Sequence, residues 1–224
     1  MRLLAATRSK GKQVEFRRLL EAAGHEVVFP DDAGIMLREE LEDGLEVESS
    51  FEGNARRKAE YFAKLSGMPT IADDSGLEVI SLGGAPGVRS KRWSGVSGSE
   101  AEVTAANNAE LLRRLSGAPE ARRGARYRCV IVYLSSPTAA PAVFEGSCPG
   151  RILEAPDGTG GFGYDPLFLS AEIGQSFGTA TAEEKDAISH RGKALKAFIE
   201  ALQRREEGTG WREEGRGKRE GGTG

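Results

Sequence analysis

The order of its apolar segments constrains this chain most. A short apolar run, Leu3 to Ala6, enters a polar loop, Thr7 to Gly11, and a helix follows over Lys12 to Ala23. Phe16, Leu19, Leu20 and Ala23 fall at i, i+3, i+4 and i+7, one face of a 3.6-residue repeat, and Gly24 supplies the stop. Glu26 to Phe29 then reads as a strand ended by Pro30. The alternation continues. An acidic stretch, Arg38 to Glu52, leads into a helix around Asn54 to Ser66, and a buried strand, Pro69 to Ala72, ends at Asp73-Asp74-Ser75-Gly76. Leu77 to Leu82 reads as extended, with a loop at Gly83 to Gly87. Ser99 opens a long helix through Leu115, with Glu102 placed to complete a capping box. Strands over Tyr127 to Leu134 and Ala142 to Glu145 come next, then a glycine-dense loop, Gly158 to Gly163. The last helix starts near Thr181, breaks around Ser189 to Gly192 and resumes through Leu195, Phe198 and Leu202. Strands interleaved with helices predict an α/β fold, a mixed sheet with helices on both sides.

Composition narrows the classes further. The formal net charge is −3, without the basic excess usual in proteins that coat nucleic acid, although a local cationic pocket for a small anion remains compatible. No apolar run approaches the ~20 residues of a membrane span, and the first residues lack the apolar stretch and cleavage site of a signal peptide. Cys129 and Cys148 form no metal-type pair and read as reduced, which points to the cytoplasm. From 204 to 224 the pattern dissolves: seven of 21 residues are glycine and Trp211 is the only large apolar group. Such a segment buries too little to offset its ordering entropy, so the expectation is one domain over 1–203 and a disordered tail over 204–224.

Four segments carry candidate chemistry, each with a plain structural alternative. Thr7-Arg8-Ser9-Lys10-Gly11-Lys12 places hydroxyls, a glycine and three cations where a strand gives way to a helix, a setting that favours phosphate. The Walker spacing is absent, and a solvated basic turn would look the same. Asp73 and Asp74 project to opposite faces if extended, so one can face a cleft while the other holds the turn. Two carboxylates plus phosphates suit Mg²⁺, with the stretch Glu46 to Glu52 as the richest source of the second; simple capping is the alternative. Asn54 and Lys58 share a helix face, with Ala55 and Ala59 forming the packing face beside them, and would ordinarily be surface residues. Gly160-Gly161-Phe162-Gly163-Tyr164-Asp165 presents aromatics on a glycine loop, a platform on which a base can stack. Downstream, Lys185, His190 and Arg191 lie at or near the helix break, where they can donate into a cleft or serve structure alone.

Taken in order, these pieces resemble the inosine triphosphate pyrophosphatase family, the Ham1-like pyrophosphatases, over about Arg2 to Leu202. The resemblance rests on Thr7-x-Ser9-x-x-Lys12-x-x-Glu15-Phe16, Glu46-x-x-x-x-Phe51-x-x-Asn54-Ala55-x-x-Lys58-Ala59 and Ala72-Asp73-Asp74-Ser75-Gly76-Leu77. It continues through Leu82-Gly83-Gly84-Ala85-Pro86-Gly87-Val88, Gly158 to Pro166, Glu184-Lys185 and Ile188-Ser189-His190-Arg191-Gly192.

The resemblance implies an elongated, two-lobed mixed-sheet fold with flanking helices and a central cleft, assembled as a homodimer. It implies a Mg²⁺-dependent hydrolase that converts wrong-base purine nucleoside triphosphates (ITP, dITP, XTP) to the monophosphate and pyrophosphate, and so keeps wrong bases out of DNA and RNA. Thr7, Arg8, Ser9, Lys10, Gly11 and Lys12 would hold the triphosphate, with Lys12 the main cation. Asp74 would bind the metal and accept a proton from the attacking water, Glu46 would be the second metal carboxylate, and Ser75 would touch substrate. Phe162, Gly163, Tyr164 and Asp165 would frame base and sugar, with Lys185, His190 and Arg191 closing over the nucleotide. Three residues depart from the family's usual pattern: Arg8 stands for Gly, Ser9 for Asn and Glu48 for Gly. Glu48 leaves open which glutamate meets the metal; the spacing to Phe51 favours Glu46. A catalytically silent nucleotide sensor is the rival. A Ser/His hydrolase fits poorly, since no G-x-S-x-G elbow is present.

Overall fold

The computed structural model describes residues 1–206 and 208. The chain opens with β1 (Arg2–Ala5), α1 (Lys10–Ala22) and β2 (Glu26–Val28), and β1 lies parallel to both β2 and β3 (Thr70–Val79). α2 (Glu39–Asp43) and α3 (Phe51–Ser66) come between β2 and β3. α3 starts where the Ser50 hydroxyl accepts from the Gly53 amide at 3.1 Å, and it ends at left-handed Gly67. After β3 come α4 (Glu100–Arg114), then β4 (Gly124–Leu134), β5 (Ala142–Ile152) and β6 (Phe168–Ser170), and finally α5 (Ala182–Ile188) and α6 (His190–Glu206). The strand order is β2-β1-β3-β4-β5-β6, parallel around β1 and antiparallel from β3 onward. The expected capping box of Ser99 with Glu102 forms, and a second one joins Thr181 to Glu184.

Three expectations about the strands need correction. Ile80–Leu82, expected to be extended, forms a short 3-10 helix. β3 does not end at Asp73-Asp74-Ser75-Gly76 but runs through them, because β4 pairs with every residue from Thr70↔Leu134 to Val79↔Ala125. An antiparallel ladder on a fully occupied edge outweighs the turn preference of Asp, Ser and Gly. Likewise β5 continues past Glu145 to Ile152, held between β4 and β6. α6 carries the last helix through Glu206, so residues 204–206 are helical; the rest of the expected tail lies outside the described residues apart from Gly208.

Strand alternation sorts the core. On one face of β3 and β4, Ile71, Cys129, Ile131 and Tyr133 pack with Phe16, Leu20 and Phe198 from α1 and α6. On the other face, Ala72, Val132 and Leu134 pack with Ala55, Ala59 and Phe62 of α3. Further along the same strands, Leu77, Val79 and Tyr127 join Leu111, Leu115, Phe168 and Phe177 in a separate cluster. β3, β4 and β5 thus cross two lobes, each with its own apolar core. Gly76 lies at the crossing, where an added Cβ would come within 2.3 Å of the Gly87 carbonyl oxygen. Cys129 and Cys148 are free and buried, and among the described residues no helix is long and apolar enough to cross a membrane.

Candidate active site

β1 stops short of its neighbour. Its pairing with β3 ends at Ala5↔Ile71, followed only by the Ala6 amide bonding the Ile71 carbonyl at 2.8 Å. Beyond that point the β1 side of β3 is left to the loop 7–9, so Asp73, Asp74 and Ser75 stand outside the carboxyl ends of the parallel strands. This is where open α/β sheets place ligands. α1 begins at Lys10 with Ser9 as N-cap. No side chain caps it and no acidic residue lies in its first turn, so its leading amides and dipole remain available to an anion.

Asp73 and Asp74 diverge as successive strand residues must. Asp73 faces α1 and α6. Its carboxylate accepts from Lys12 Nζ at 3.0 Å, from Arg191 Nε and Nη2 at 3.1 and 2.9 Å, and from the Ser75 hydroxyl at 3.2 Å. Arg191 also donates to Ser75 Oγ at 2.7 Å and pairs with Glu15. Lys185 Nζ then joins Glu15 at 2.8 Å to Asp165 at 2.6 Å. The result is a buried chain of alternating charges, Lys12–Asp73–Arg191–Glu15–Lys185–Asp165, tying α1, β3, the glycine loop, α5 and α6 together. Burial alone would raise the Asp73 carboxyl, but Lys12, Arg191 and Lys58 outweigh it and hold it far below the usual range. Glu15 is likewise opposed by burial and brought down to about 2 by Arg191 and Lys185.

Asp74 faces α3 instead. It accepts from Asn54 Nδ2 at 2.8 Å and from the Ser75 amide at 3.1 Å, with the Lys58 ammonium 3.8 Å away. Here burial prevails over Lys58 and Lys12, and the carboxyl is raised above its ordinary value. Lys58 also donates to Glu46 at 2.7 Å, and the Lys58 charge, working against burial, brings the Glu46 carboxyl to about 2. Glu48 turns away: its carboxylate pairs with Arg57 at 3.1 Å and is 44% exposed. Glu46, not Glu48, therefore shares a cation with Asp74. Among the described residues no group of three or more His, Cys, Asp or Glu side chains is close enough to enclose a metal. Two carboxylates gathered around one positive charge do match the hard-oxygen, partial donor set that Mg²⁺ takes beside substrate phosphates.

The glycine loop closes over α1. The Asp165 carboxylate accepts from the Phe162 amide at 2.8 Å, and Lys185 Nζ lies 4.8 Å from the Phe162 ring centroid. Gly11 permits this approach, since a Cβ there would lie 2.5 Å from the ring. Tyr164 is buried and donates to the Ser90 carbonyl at 2.9 Å, while the Gly163 carbonyl accepts from Asn108 at 3.1 Å. His190 stacks on Tyr127 at 4.6 Å and 9°. Burial, with Arg191 nearby, pushes its pKa well below the ordinary value, and its buried Nδ1 has no hydrogen-bond partner among the described residues.

Most of the expected residues converge on this cleft, but two cations are turned elsewhere. Arg8 bonds Glu42, Asp31 and the Ile35 carbonyl, so its guanidinium addresses α2 rather than an anion at α1. Arg191 is 1% exposed and committed to Asp73, Glu15 and Ser75, so it backs the Phe162 ring (5.8 Å) from within. Lys10 is exposed, 3.5 Å from Gln13. Sequence reasoning missed Glu15 as the centre of the buried chain; its signal is a charge flanking Phe16 on the inward stripe of α1. It also undervalued Asn54 and Lys58. Fully buried Ala55 and Ala59 bring α3 close to β3, which carries their polar neighbours inward.

Comparison with known proteins agrees with this architecture. The Ham1 family model matches residues 3–201. The dITP/XTP pyrophosphatase of Desulforamulus reducens is 46% identical, covering 91% of this chain and 96% of its own. That of Escherichia coli is 43% identical, covering 90% and 98%. Among solved structures, a HAM1 protein from Coxiella burnetii aligns with a TM-score of 0.77 at 32% identity over 91% of this chain and 98% of its own. The dITP/XTP pyrophosphatase from Mycobacterium abscessus aligns at 0.65 with 40% identity over 88% and 98%. The chain belongs to the Ham1 family.

Proposed function

We propose that this protein hydrolyses wrong-base purine nucleoside triphosphates, ITP, dITP and XTP, to the monophosphate and pyrophosphate, and so cleanses the nucleotide pool. The observation that carries the reading is the pairing of Asp74 and Glu46 around the Lys58 ammonium, at the mouth of a cleft that Lys12 also enters. Its relatives' names support the substrate class.

Asp74 and Glu46 would hold Mg²⁺, which would neutralise the phosphate charge and favour an in-line attack. Lys12, the hydroxyls of Thr7 and Ser9 and the leading amides of α1 bind the triphosphate. Asp74, whose carboxylate is aimed by the Asn54 amide and the Ser75 backbone amide, positions and deprotonates the attacking water. Phe162, on its glycine loop, offers the stacking surface for the base, with Asp165 and Lys185 setting the loop's position. Hypoxanthine and xanthine present an acceptor at O6 where adenine presents a donor. Donors around His190, supported by Arg191 behind it, pair with that acceptor and leave an adenine amine unmatched. By family likeness the enzyme is a homodimer and works in the cytoplasm.

A pyrophosphate-release assay with ITP, dITP, XTP, GTP and ATP, with and without Mg²⁺, tests the proposal. The expected result is Mg²⁺-dependent release from the first three. ITP binding without release would instead identify a silent sensor.

A further inference from the structure

The segment that delivers Glu46 to the cleft has little apolar anchorage. Between Ile35, packed against the α3-side core, and buried Leu45, the chain leaves Met36, Leu37 and Leu41 in the open, and α2 buries none of its residues. Only one α2 side chain turns inward: Glu42, 12% exposed. It takes a two-pronged bond from Arg8, whose Nε and Nη2 each lie 2.7 Å from a Glu42 carboxylate oxygen. The same guanidinium donates to the Ile35 carbonyl at 3.1 Å, pairs with Asp31 and lies 6.0 Å from the Phe62 ring centroid. One side chain from the phosphate loop thus holds three points of the segment that runs on to Glu46. Beyond Glu42 the path to Glu46 is short: the Leu45 amide bonds the Glu42 carbonyl at 3.1 Å, and the Glu46 amide the Asp43 carbonyl at 3.4 Å.

We propose that Arg8 is a positioning residue, fastening residues 31–45 to the phosphate loop and so setting Glu46 beside Lys58 and Asp74. A residue without side-chain donors at this position could make none of these bonds. The inference rests on reading Glu46 as a metal carboxylate. It opposes the simpler role of Arg8 as a phosphate ligand, which would require the guanidinium to leave all of its acceptors. A paired fork and a free cation also respond differently to lysine, which keeps the charge but not the planar geometry.

The test compares Arg8→Ala, Arg8→Lys, Glu42→Gln and the Arg8→Ala/Glu42→Gln double variant with wild type. Three quantities are read: hydrogen exchange over residues 36–46, the Mg²⁺ concentration for half-maximal ITP hydrolysis, and KM for ITP at saturating Mg²⁺. A latch predicts exchange accelerated ~10-fold or more in both single variants, since the segment loses its tether. It also predicts a ~10-fold rise in required Mg²⁺, the usual scale for losing an outer partner of a metal ligand. The double variant should be no worse than either single one, Arg8→Lys should resemble Arg8→Ala, and KM should move less than ~2-fold. Unchanged exchange overturns the latch. Raised exchange with wild-type Mg²⁺ dependence overturns its role in placing Glu46. A near-wild-type Arg8→Lys, a harmless Glu42→Gln and a raised KM in Arg8→Ala would return Arg8 to the phosphates. If wild type itself released no pyrophosphate, the functional reading would fail, and the exchange comparison alone would decide whether the latch exists.

Discussion

The two faces of β3 carry the same side chain to opposite ends. On the α1/α6 face, Asp73 is saturated with partners and belongs to a six-member charge chain. On the α3 face, Asp74 has one side-chain amide, one backbone amide and a cation 3.8 Å away. Both carboxyls are buried, so burial does not distinguish them. What differs is how much positive charge and hydrogen bonding opposes it: enough to hold Asp73 strongly acidic, too little for Asp74, which stays raised. Neighbours in sequence thus become a structural anchor on one face and, on the other, the carboxyl proposed as the base.

Breaking the anchor should cost most. Asp73→Ala leaves Arg191 and Lys12 without their shared carboxylate, and losing one partner of a buried pair costs about 3–5 kcal/mol. Chemical denaturation should register that loss, while a midpoint near wild type would mean the chain of charges is dispensable. Next in size is the acid dependence of the same face. Glu15 is held at about 2 against an ordinary value of 4.5, so the unfolded chain binds the proton more readily. Its contribution is full above about 4.5 and drains as pH falls toward 2, roughly 3 kcal/mol in all. Denaturation curves of Glu15→Gln between pH 5 and 2 should therefore be flatter than those of wild type. Asp74 has the opposite sign: the folded chain holds its proton more tightly than the unfolded one, so ionising it weakens the fold.

On the working face, Asp74→Asn should keep nucleotide binding but lose at least ~10²-fold in turnover, as for a missing acid–base group. Wild-type turnover there would end the comparison. The smallest expected contrast is the sharpest between alternatives. Glu46→Gln should raise the Mg²⁺ requirement, whereas Glu48→Gln, on the rim with Arg57, should change it less than ~2-fold, within the range of an exposed ion pair. Titrating both variants with Mg²⁺ decides between the two glutamates.

Much of this was legible in the residues. α1, α4 and the break around Ser189 to Gly192 were readable because apolar periodicity, the Ser99–Glu102 capping box and a lapse in the helical pattern are local signals. β3 was cut short because Asp73-Asp74-Ser75-Gly76 reads as a turn, and only the long-range ladder to β4 keeps it extended. α2 left no trace, having no buried face to impose a period. β6 is three residues long and exists through its pairing with β5. In the site, the motif order located the cleft, but the orientations of Arg8 and Arg191 depend on acceptors far along the chain, Glu42 for one and Glu15 and Asp73 for the other. No spacing rule announces those.

The uninterrupted ladder between β3 and β4 has a consequence for how this site can vary. Side-chain direction along a strand repeats every two residues, so deleting one residue just ahead of Asp73 would trade the two aspartates across the sheet. The Asp74 carboxylate would be sealed among arginine and lysine, and that of Asp73 left hanging over the cleft. Ten consecutive cross-strand partners make such a slip expensive. The ladder therefore works as a phase lock, and drift in this part of the sequence should proceed by replacing residues rather than by gaining or losing them.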